Sequence, residues 1–254
     1  MDKVQKNSQL LLTNTPEALR DKFYSLKQPT DLADLLEICY SDLIYHIYIV
    51  KPEKRYKIFD IPKKSGGIRQ ISTPITALKI IQRKLNQVLQ AVYQIKPSVH
   101  GFVSNKNVVT NARNHVKKRY VLNIDLKDFF PSVNFGRVRG MFMATPYGLH
   151  PDVATVLAQI CCYNHQLPQG APTSPIITNM ICGKMDSQLQ RLAKECKATY
   201  TRYADDITFS TSLPKFPKDL AYIVNEEDQE KLIIGDTLFQ IIKANGFELN
   251  VSAQ

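Results

Sequence analysis

The chain has 254 residues, of which 44% are hydrophobic, so it is long enough for one large domain or two small ones around a buried core. Lysine and arginine number 33 against 23 acidic residues, and the resulting net charge of +10 favours a polyanionic partner such as a nucleic acid. The sequence has no apolar run near the roughly 20 residues of a membrane-spanning helix and no signal-peptide pattern, so we expect a cytoplasmic protein without a membrane partner. It also has no CxxC pair, so we do not expect a structural zinc site.

The first hundred residues predict helices before and after a β-hairpin. Thr15 and Pro16 have the pattern of an N-cap followed by proline at the first helical position, and Gly66-Gly67 has the sequence of a hairpin turn. The alternating stretches YHIYIV and YKIFDIP predict strands, because neighbouring side chains of a strand point to opposite faces. In chain order the predicted elements are helices over 15–40 with the second beginning at Thr30, strands within 45–73, and a helix over 76–95.

The remaining residues predict helices mixed with antiparallel strands. In chain order these elements are a strand over 119–126, a helix over 152–163, a long helix from Thr173 to about Cys196, two strands joined by a turn within 198–210, and a C-terminal helix, capped by Gly246, that leads into a strand. Strands and helices do not alternate as they do in βαβ units, which predicts an α+β fold.

Three aspartates suggest a metal site. Asp205 and Asp206 interrupt a sequence that otherwise predicts strands, and they can act together only if the chain turns there. Asp125 ends the apolar strand VLNID, where a buried charge is costly unless it is paired or binds a metal. If the three carboxylates converge, divalent cations relieve their repulsion, and hard oxygen ligands favour Mg²⁺. Taken singly, Asp205-Asp206 is also explained as a solvated turn, and Asp125 as a helix cap or an ion-pair partner.

Three motifs in this order resemble the palm of reverse transcriptases: NIDLKDFF at 123–130, LPQGAPTSP at 167–175 and YADD at 203–206. The resemblance begins at about residue 50 and implies an RNA-directed DNA polymerase, a nucleotidyltransferase of the right-hand type. The regions that it implies are an N-terminal helical region over 1–50, fingers with a basic hairpin over 51–120, and an antiparallel palm sheet packed on helices over 121–254, with fingers-type helices between about 135 and 165.

The family's catalytic residues carry over to matching positions. Asp125, Asp205 and Asp206 match the aspartates that bind two Mg²⁺ ions and catalyse the transfer of a deoxynucleotide from a dNTP. Phe130 falls where the family carries an aromatic steric gate, and such a ring would clash with a 2′-hydroxyl.

Four further residues match the family's nucleotide pocket. Lys63 and Arg69, on the predicted fingers hairpin, resemble the basic pair that holds the triphosphate, a role that suits the bidentate fork of arginine. Gln169 and Gly170 match the loop that shapes the pocket around the incoming nucleotide. Without the palm motifs, Lys63 and Arg69 are better explained as solvated charges.

The stretch Asn111-Ala-Arg-Asn-His115 resembles the NAxxH motif of retron reverse transcriptases, and HGF at 100–102 fits the same branch. The resemblance implies a structured non-coding RNA as partner, part of which is copied into a branched RNA–DNA hybrid (msDNA), and an effector protein of unknown identity in antiphage defence. Alone, the stretch is also explained as a helix start with a surface histidine. The expected RNA contacts are Asn111, Arg113, His115, Lys117, Lys118 and Arg119.

The sequence stops at GFELNVSAQ, before the lysine-bearing motif, the primer grip, the VTG motif and the helical thumb of the family. We therefore expect a chain without a thumb that copies RNA poorly by itself. Two alternatives remain open: an RNA-binding scaffold whose palm no longer turns over, and a reverse transcriptase of the group II intron type. Converging carboxylates argue against the scaffold, because they repel phosphate unless a metal is present, and the NAxxH stretch argues against the intron type.

Overall fold

The structure is a computed structural model that describes residues 10–62, 66–226 and 229–250. None of the helices in these ranges is both long and apolar enough to cross a membrane. In chain order the α-helices are α1 (Pro16–Tyr24), α2 (Pro29–Leu35), α3 (Tyr40–Ile44), α4 (Pro52–Arg55), α5 (Thr76–Val92), α6 (Val108–Ala112), α7 (Phe135–Met143), α8 (Pro151–Cys161), α9 (Ser174–Ile181), α10 (Gly183–Glu195) and α11 (Asp236–Ala244).

Local sequence explains where several helices lie. The Thr15 hydroxyl accepts a hydrogen bond from the Ala18 amide at 3.3 Å and Pro16 opens α1, as the N-cap pattern predicts. Residues Leu78, Leu85 and Leu89 of α5 are buried on one helical face, which confirms the helix predicted over 76–95. The helix predicted over 152–163 is likewise confirmed as α8.

Two predicted elements differ in the structure. YHIYIV does not form a strand but a π-helical turn over Tyr45–Ile49 that continues α3, and Leu43 and Ile47 are buried at a spacing of one helical turn. The long helix predicted from Thr173 is interrupted at Cys182, between α9 and α10, directly before a glycine that weakens a helix interior.

The strands form three antiparallel arrangements. The strands are β1 (Tyr56–Pro62), β2 (Ile68–Pro74), β3 (Tyr120–Asp125), β4 (Thr199–Tyr203), β5 (Asp206–Thr211), β6 (Ala221–Glu226) and β7 (Gln229–Ile234). A hairpin pairs β1 with β2, a three-stranded sheet has the order β3-β5-β4, and a second hairpin pairs β6 with β7. The last hairpin was not predicted, because it includes part of an acidic stretch that resembles solvated surface charge.

The chain divides into two compact units. Unit 1, within 1–93 and 133–181, holds the β1–β2 hairpin and most of the helices. Unit 2, within 94–132 and 182–254, holds the β3-β5-β4 sheet, the β6–β7 hairpin and helices that include α10 and α11. Both units mix helices with antiparallel strands, as the predicted α+β class requires, whereas the predicted regions 1–50, 51–120 and 121–254 remain a prediction.

The core of unit 2 positions the sheet. Leu122 and Ile124 of β3 are buried and alternate with exposed Val121 and Asn123, so one face of the sheet packs inward. Helix α10 lies against β4 and contributes the buried Leu189. The sheet is therefore held by the packing of its inward face and of β4 against α10.

Candidate active site

The turn between β4 and β5 carries two of the predicted aspartates. Tyr203 pairs with Asp206 in the antiparallel register, so Ala204 and Asp205 form a two-residue connection. Ala204 has a φ of 57°, in the left-handed region that costs a residue other than glycine roughly 1–3 kcal/mol. Positive φ in a two-residue loop matches the twist of the flanking strands, and the surrounding structure has to hold it. The strand–turn–strand prediction is confirmed.

The third aspartate lies on the neighbouring strand at the same end of the sheet. Asp125 is the last residue of β3 and is the direct register partner of Asp206 on β5. Directly opposed residues of antiparallel strands share a face, with Cβ atoms about 4.5–5.5 Å apart. The Leu126 amide also donates to the Asp205 carbonyl at 3.1 Å. The structure thus brings Asp125, Asp205 and Asp206 together, although Asp125 precedes Asp205 by 80 residues in the chain.

The electrostatics of this end of the sheet suit a cation. Partial desolvation raises the pKa of Asp206, although the residue remains exposed, and the charges of Asp205 and Asp125 raise it further. A divalent cation placed between these groups would offset their repulsion. In the described part of the chain no three His, Cys, Asp or Glu side chains form a preassembled metal site. Mg²⁺ does not require one, because it is usually held by one or two carboxylates with water and substrate phosphate oxygens.

An amide side chain contacts the first of these carboxylates. The Asn250 side-chain amide donates to Asp125 Oδ2 at 3.2 Å, and its backbone amide donates to the Asp125 carbonyl at 2.8 Å. Leu249 forms a bridge with Leu126 beside this contact. Asn250 lies in the GFELN stretch that we expected to begin a strand, and no role was predicted for it from the sequence.

A buried ion pair supports the turn from the strand side. The Arg202 guanidinium donates from Nε to Asp186 Oδ1 at 2.8 Å and from Nη2 to Oδ2 at 2.9 Å, and both side chains are 0% exposed. The Tyr200 hydroxyl donates to the same carboxylate at 2.7 Å. From Nη1, Arg202 also donates to the Ala204 carbonyl at 2.9 Å. The sequence TYTRY of β4 does not by itself mark Arg202 as buried, so this network emerges only from the structure.

The segment 98–102, which includes HGF, lies along the outer edge of β4. The Arg202 amide donates to the Ser98 carbonyl at 2.9 Å, and the His100 amide donates to the Arg202 carbonyl at 2.8 Å. Gly101 packs against the turn so closely that a Cβ atom there would lie 2.2 Å from the Ala204 nitrogen. Only glycine permits this approach, which gives Gly101 a physical role that the sequence did not reveal.

The predicted steric gate is half-buried. The ring of Phe130 lies 5.9 Å from that of Phe102 and 5.5 Å from that of Phe129, measured between centroids. Phe129 in turn stacks on Phe247 at 6.0 Å. The aromatic contacts hold the loop after Asp125 in place, and the gate function of Phe130 stays a prediction.

In unit 1, the predicted pocket loop is attached to the β1–β2 hairpin. The Gln169 carbonyl accepts a hydrogen bond from the Ser72 amide of β2 at 2.8 Å. Gly170 has a φ of 125°, and a Cβ atom there would lie 2.9 Å from a methyl carbon of Ile71. Arg69 is exposed on β2, three residues before Ser72, so the structure brings Arg69, Gln169 and Gly170 into one region. Lys63 lies outside the described residues.

The predicted RNA contacts divide into buried and exposed residues. His115 is 9% exposed, and its ring nitrogens lie 2.7 Å from the Ser210 and Thr201 hydroxyls. Burial lowers the pKa of His115, as do the nearby charges of Lys118 and His100. Its hydrogen-bonding groups are therefore engaged within unit 2.

Asn111 is also buried, at 8% exposure, and its side-chain oxygen has no hydrogen-bond partner among the described residues. Arg113, Lys117 and Arg119 are exposed and Lys118 is partly so. Contact with RNA stays a prediction for all six residues, and only the four basic side chains are accessible as they stand.

Comparison with known proteins agrees with these motifs. The family described as "Reverse transcriptase (RNA-dependent DNA polymerase)" matches residues 61–252. The chain is 39% identical to the Retron Mx65 reverse transcriptase of Myxococcus xanthus over 213 residues, which are 74% of this chain and 49% of that protein. It is 36% identical to the Retron Ec86 reverse transcriptase of Escherichia coli over 191 residues, 74% of this chain and 59% of that protein. The chain thus spans about half the length of these curated relatives.

Proposed function

Because the chain belongs to the reverse transcriptase family, we propose that it forms the polymerase part of an RNA-directed DNA polymerase that extends a DNA strand on an RNA template. The observation that carries this proposal is the placement of Asp125 opposite Asp206, with Asp205 on the adjoining turn. In the right-hand description, the β3-β5-β4 sheet is the palm and the β1–β2 hairpin belongs to the fingers.

The three aspartates are the residues that would hold the metal. The chemistry that two bound Mg²⁺ ions would supply there is activation of the attacking 3′-hydroxyl and stabilisation of the leaving pyrophosphate. The chain's contribution is to fix the carboxylates on a rigid strand end and turn. Asn250 orients the carboxylate of Asp125 through its 3.2 Å hydrogen bond.

The same proposal assigns five residues to the selection of the nucleotide. Arg69 offers a guanidinium fork for the triphosphate, with Lys63 as the second cation, and Gln169 and Gly170 shape the pocket. Phe130 excludes the 2′-hydroxyl of a ribonucleotide and so selects dNTPs. The attachment of the Gln169 carbonyl to Ser72 supports a common role for the loop and the hairpin.

We further propose a retron function, in which a structured non-coding RNA is the template and msDNA is the product, because the chain's relatives are retron reverse transcriptases. Arg113, Lys117, Lys118 and Arg119 contact RNA phosphates, while buried His115 holds their segment against the sheet. An effector protein and a part in antiphage defence belong to the same proposal.

Aromatic side chains accompany these basic residues. The Arg119 guanidinium carbon lies 5.7 Å from the centroid of the Tyr120 ring, and Tyr120 contacts Phe216 edge-on at 6.2 Å. Rings beside cations are suited to stack on unpaired bases of a structured RNA.

A primer-extension assay tests the polymerase proposal. The purified chain, given a DNA primer on an RNA template, dNTPs and Mg²⁺, should extend the primer, and Asp206→Asn should reduce the rate at least roughly a hundredfold. The matched control is Asp34→Asn, which changes an exposed aspartate of α2. Undiminished extension by Asp206→Asn would contradict the assignment of the site.

The retron proposal is tested on the nucleic acid that copurifies with the chain from its native cell. Denaturing gels run before and after RNase, DNase and debranching enzyme should reveal a DNase-sensitive species that shifts on debranching. A discrete RNA without DNA would favour an RNA-binding scaffold, and the absence of any nucleic acid would contradict both functions.

A further inference from the structure

The buried ion pair between Asp186 and Arg202 has a feature that stability does not explain. Taking two charges out of water costs several kcal/mol per ion, and replacing such a pair by apolar side chains is often neutral or stabilising. The pair is wholly enclosed, with α10 supplying the carboxylate and β4 the guanidinium. A pair of this kind is weak evidence for a stabilising role, so its geometry has to indicate what it does.

The ion pair contacts the turn that carries Asp205 and Asp206. Two of the guanidinium nitrogens are held by Asp186 in a bidentate contact, and the third, Nη1, donates to the Ala204 carbonyl at 2.9 Å. Because a peptide unit is planar, fixing the Ala204 carbonyl also fixes the direction of the Asp205 amide in the same unit. One rigid side chain therefore sets the peptide plane from which Asp205 extends.

The conformation that is held in this way is one that the chain disfavours. Ala204 adopts a φ of 57°, and a residue other than glycine keeps such a conformation only where its surroundings over-determine it. The Arg202 side chain constrains the carbonyl of Ala204, and Gly101 packs against the nitrogen of the same residue. Released from the first of these constraints, the turn can relax to conformations that no longer direct the aspartates as the sheet register does.

The Asp186 carboxylate is itself saturated with donors. It accepts both guanidinium hydrogen bonds and a third, at 2.7 Å, from the Tyr200 hydroxyl two residues before Arg202. The orientation of Arg202 is thus determined from α10 and from β4 together. Lysine could not reproduce it, because an ammonium lacks the planar fork that reaches a carboxylate and a carbonyl at once.

We propose that Arg202, held by Asp186, is a positioning residue that fixes the turn carrying Asp205 and Asp206 in its metal-binding geometry. This inference rests on the proposed polymerase function for its consequence, but its structural content, a turn held by a buried guanidinium, can be measured separately. Mutation of residues that orient metal ligands typically reduces metal affinity or activity by about 10–100-fold. We expect loss of the Arg202 contact to reduce metal affinity by roughly the same factor.

The test compares a double variant, Arg202→Met with Asp186→Leu, with the wild type. Removing both charges keeps apolar volume in the core but leaves the buried Tyr200 hydroxyl and the Ala204 carbonyl without these partners, so the variant is expected to fold with a lower Tm than the wild type. Amide hydrogen exchange of the peptide spanning the turn should become at least about tenfold faster, whereas exchange in α5 should not change. The matched control is Met185→Leu, which alters the buried residue next to Asp186 and keeps the ion pair.

Metal binding is measured in the same proteins without turnover, from the loss of the free Mn²⁺ signal in electron paramagnetic resonance. The double variant should bind Mn²⁺ about 10–100-fold more weakly than the wild type. Wild-type exchange at the turn together with wild-type Mn²⁺ affinity would overturn the proposal. If the double variant does not fold, Arg202→Lys is measured instead, with faster exchange expected at the turn and unchanged exchange again overturning the proposal.

A separate arm distinguishes this inference from the function on which it rests. Asp206→Asn leaves Arg202 and Asp186 in place and should weaken Mn²⁺ binding while the turn keeps its protection. If Asp206→Asn binds Mn²⁺ as the wild type does, the metal assignment is wrong, and faster exchange in the double variant would still show that Arg202 holds the turn.

Discussion

Gly101 packs closely against the turn that carries the aspartates, and this contact can be tested by adding one methyl group. In Gly101→Ala the new Cβ atom would lie 2.2 Å from the Ala204 nitrogen and 2.9 Å from the Tyr203 carbonyl carbon. Both are backbone atoms and cannot rotate away. Atoms in contact normally lie about 3.5 Å apart, so the segment or the turn has to move by roughly an ångström.

The magnitude follows from this displacement. Overpacking of this kind costs about 1–3 kcal/mol of stability, which for a chain of this size corresponds to a fall in Tm of about 2–12 °C. Movement of a catalytic group by about an ångström can reduce kcat by roughly a hundredfold. Because the substitution alters none of the residues proposed to bind the nucleotide, KM for the dNTP should change much less than kcat.

The assay is steady-state primer extension on an RNA template, accompanied by thermal unfolding. Gly183→Ala is the matched control in the same unit, since a Cβ atom at Gly183 meets no atom within 4 Å. The control should keep kcat and should unfold at the wild-type Tm or slightly above it. If Gly101→Ala were as stable and as active as Gly183→Ala, the reasoning from close approach would be refuted.

Three further predictions concern the neighbouring surfaces and one buried histidine. Phe130→Ala should incorporate ribonucleotides, measured as a higher ratio of kcat/KM for rNTP to kcat/KM for dNTP than in the wild type. The control Phe216→Ala should keep the wild-type ratio, and an equal ratio in both variants would rule out Phe130 as the gate. Replacing all three residues 117–119 with alanine should reduce the slope of the logarithm of the RNA association constant against the logarithm of salt concentration by about 2. Lys194→Ala should change this slope less, and an unaltered slope in the triple variant would place the phosphate contacts elsewhere. Burial lowers the pKa of His115 in the folded chain below that in the unfolded chain, which is about 6.5. The stability that buried His115 contributes is therefore present above a pH of about 6.5 and is lost as the pH falls below that value. His115→Gln should therefore show a smaller loss of Tm between pH 7 and pH 5 than the wild type, and an identical loss would contradict this.

The sequence alone predicted those features that depend on short stretches of chain. The hydrophobic periods of 76–95 and 119–126 identified α5 and β3, and the turn within YADD followed from the adjacent aspartates. The motif order carried the family resemblance and pointed to Asp125 as the partner of Asp206. These inferences succeeded because helical period, strand alternation and motif spacing are local properties of the residues themselves.

Other features depended on which distant residues the fold brings together. YHIYIV has the alternation of a strand, but burial of Ile47 with Leu43 made it a helical turn. His115 resembled a surface contact until its pairing with hydroxyls of β4 and β5 showed it to be internal.

Tertiary structure also determines which residues support the turn that carries Asp205 and Asp206. Arg202 finds its carboxylate on α10, 16 residues earlier in the chain, and the absence of a side chain at Gly101 matters only because the turn lies against it. A sequence shows which residues carry charge, hydrogen-bonding groups or no side chain at all. Which of those groups meet depends on how helices and strands pack, since a buried charge or a close backbone contact is satisfied by whatever the fold places beside it.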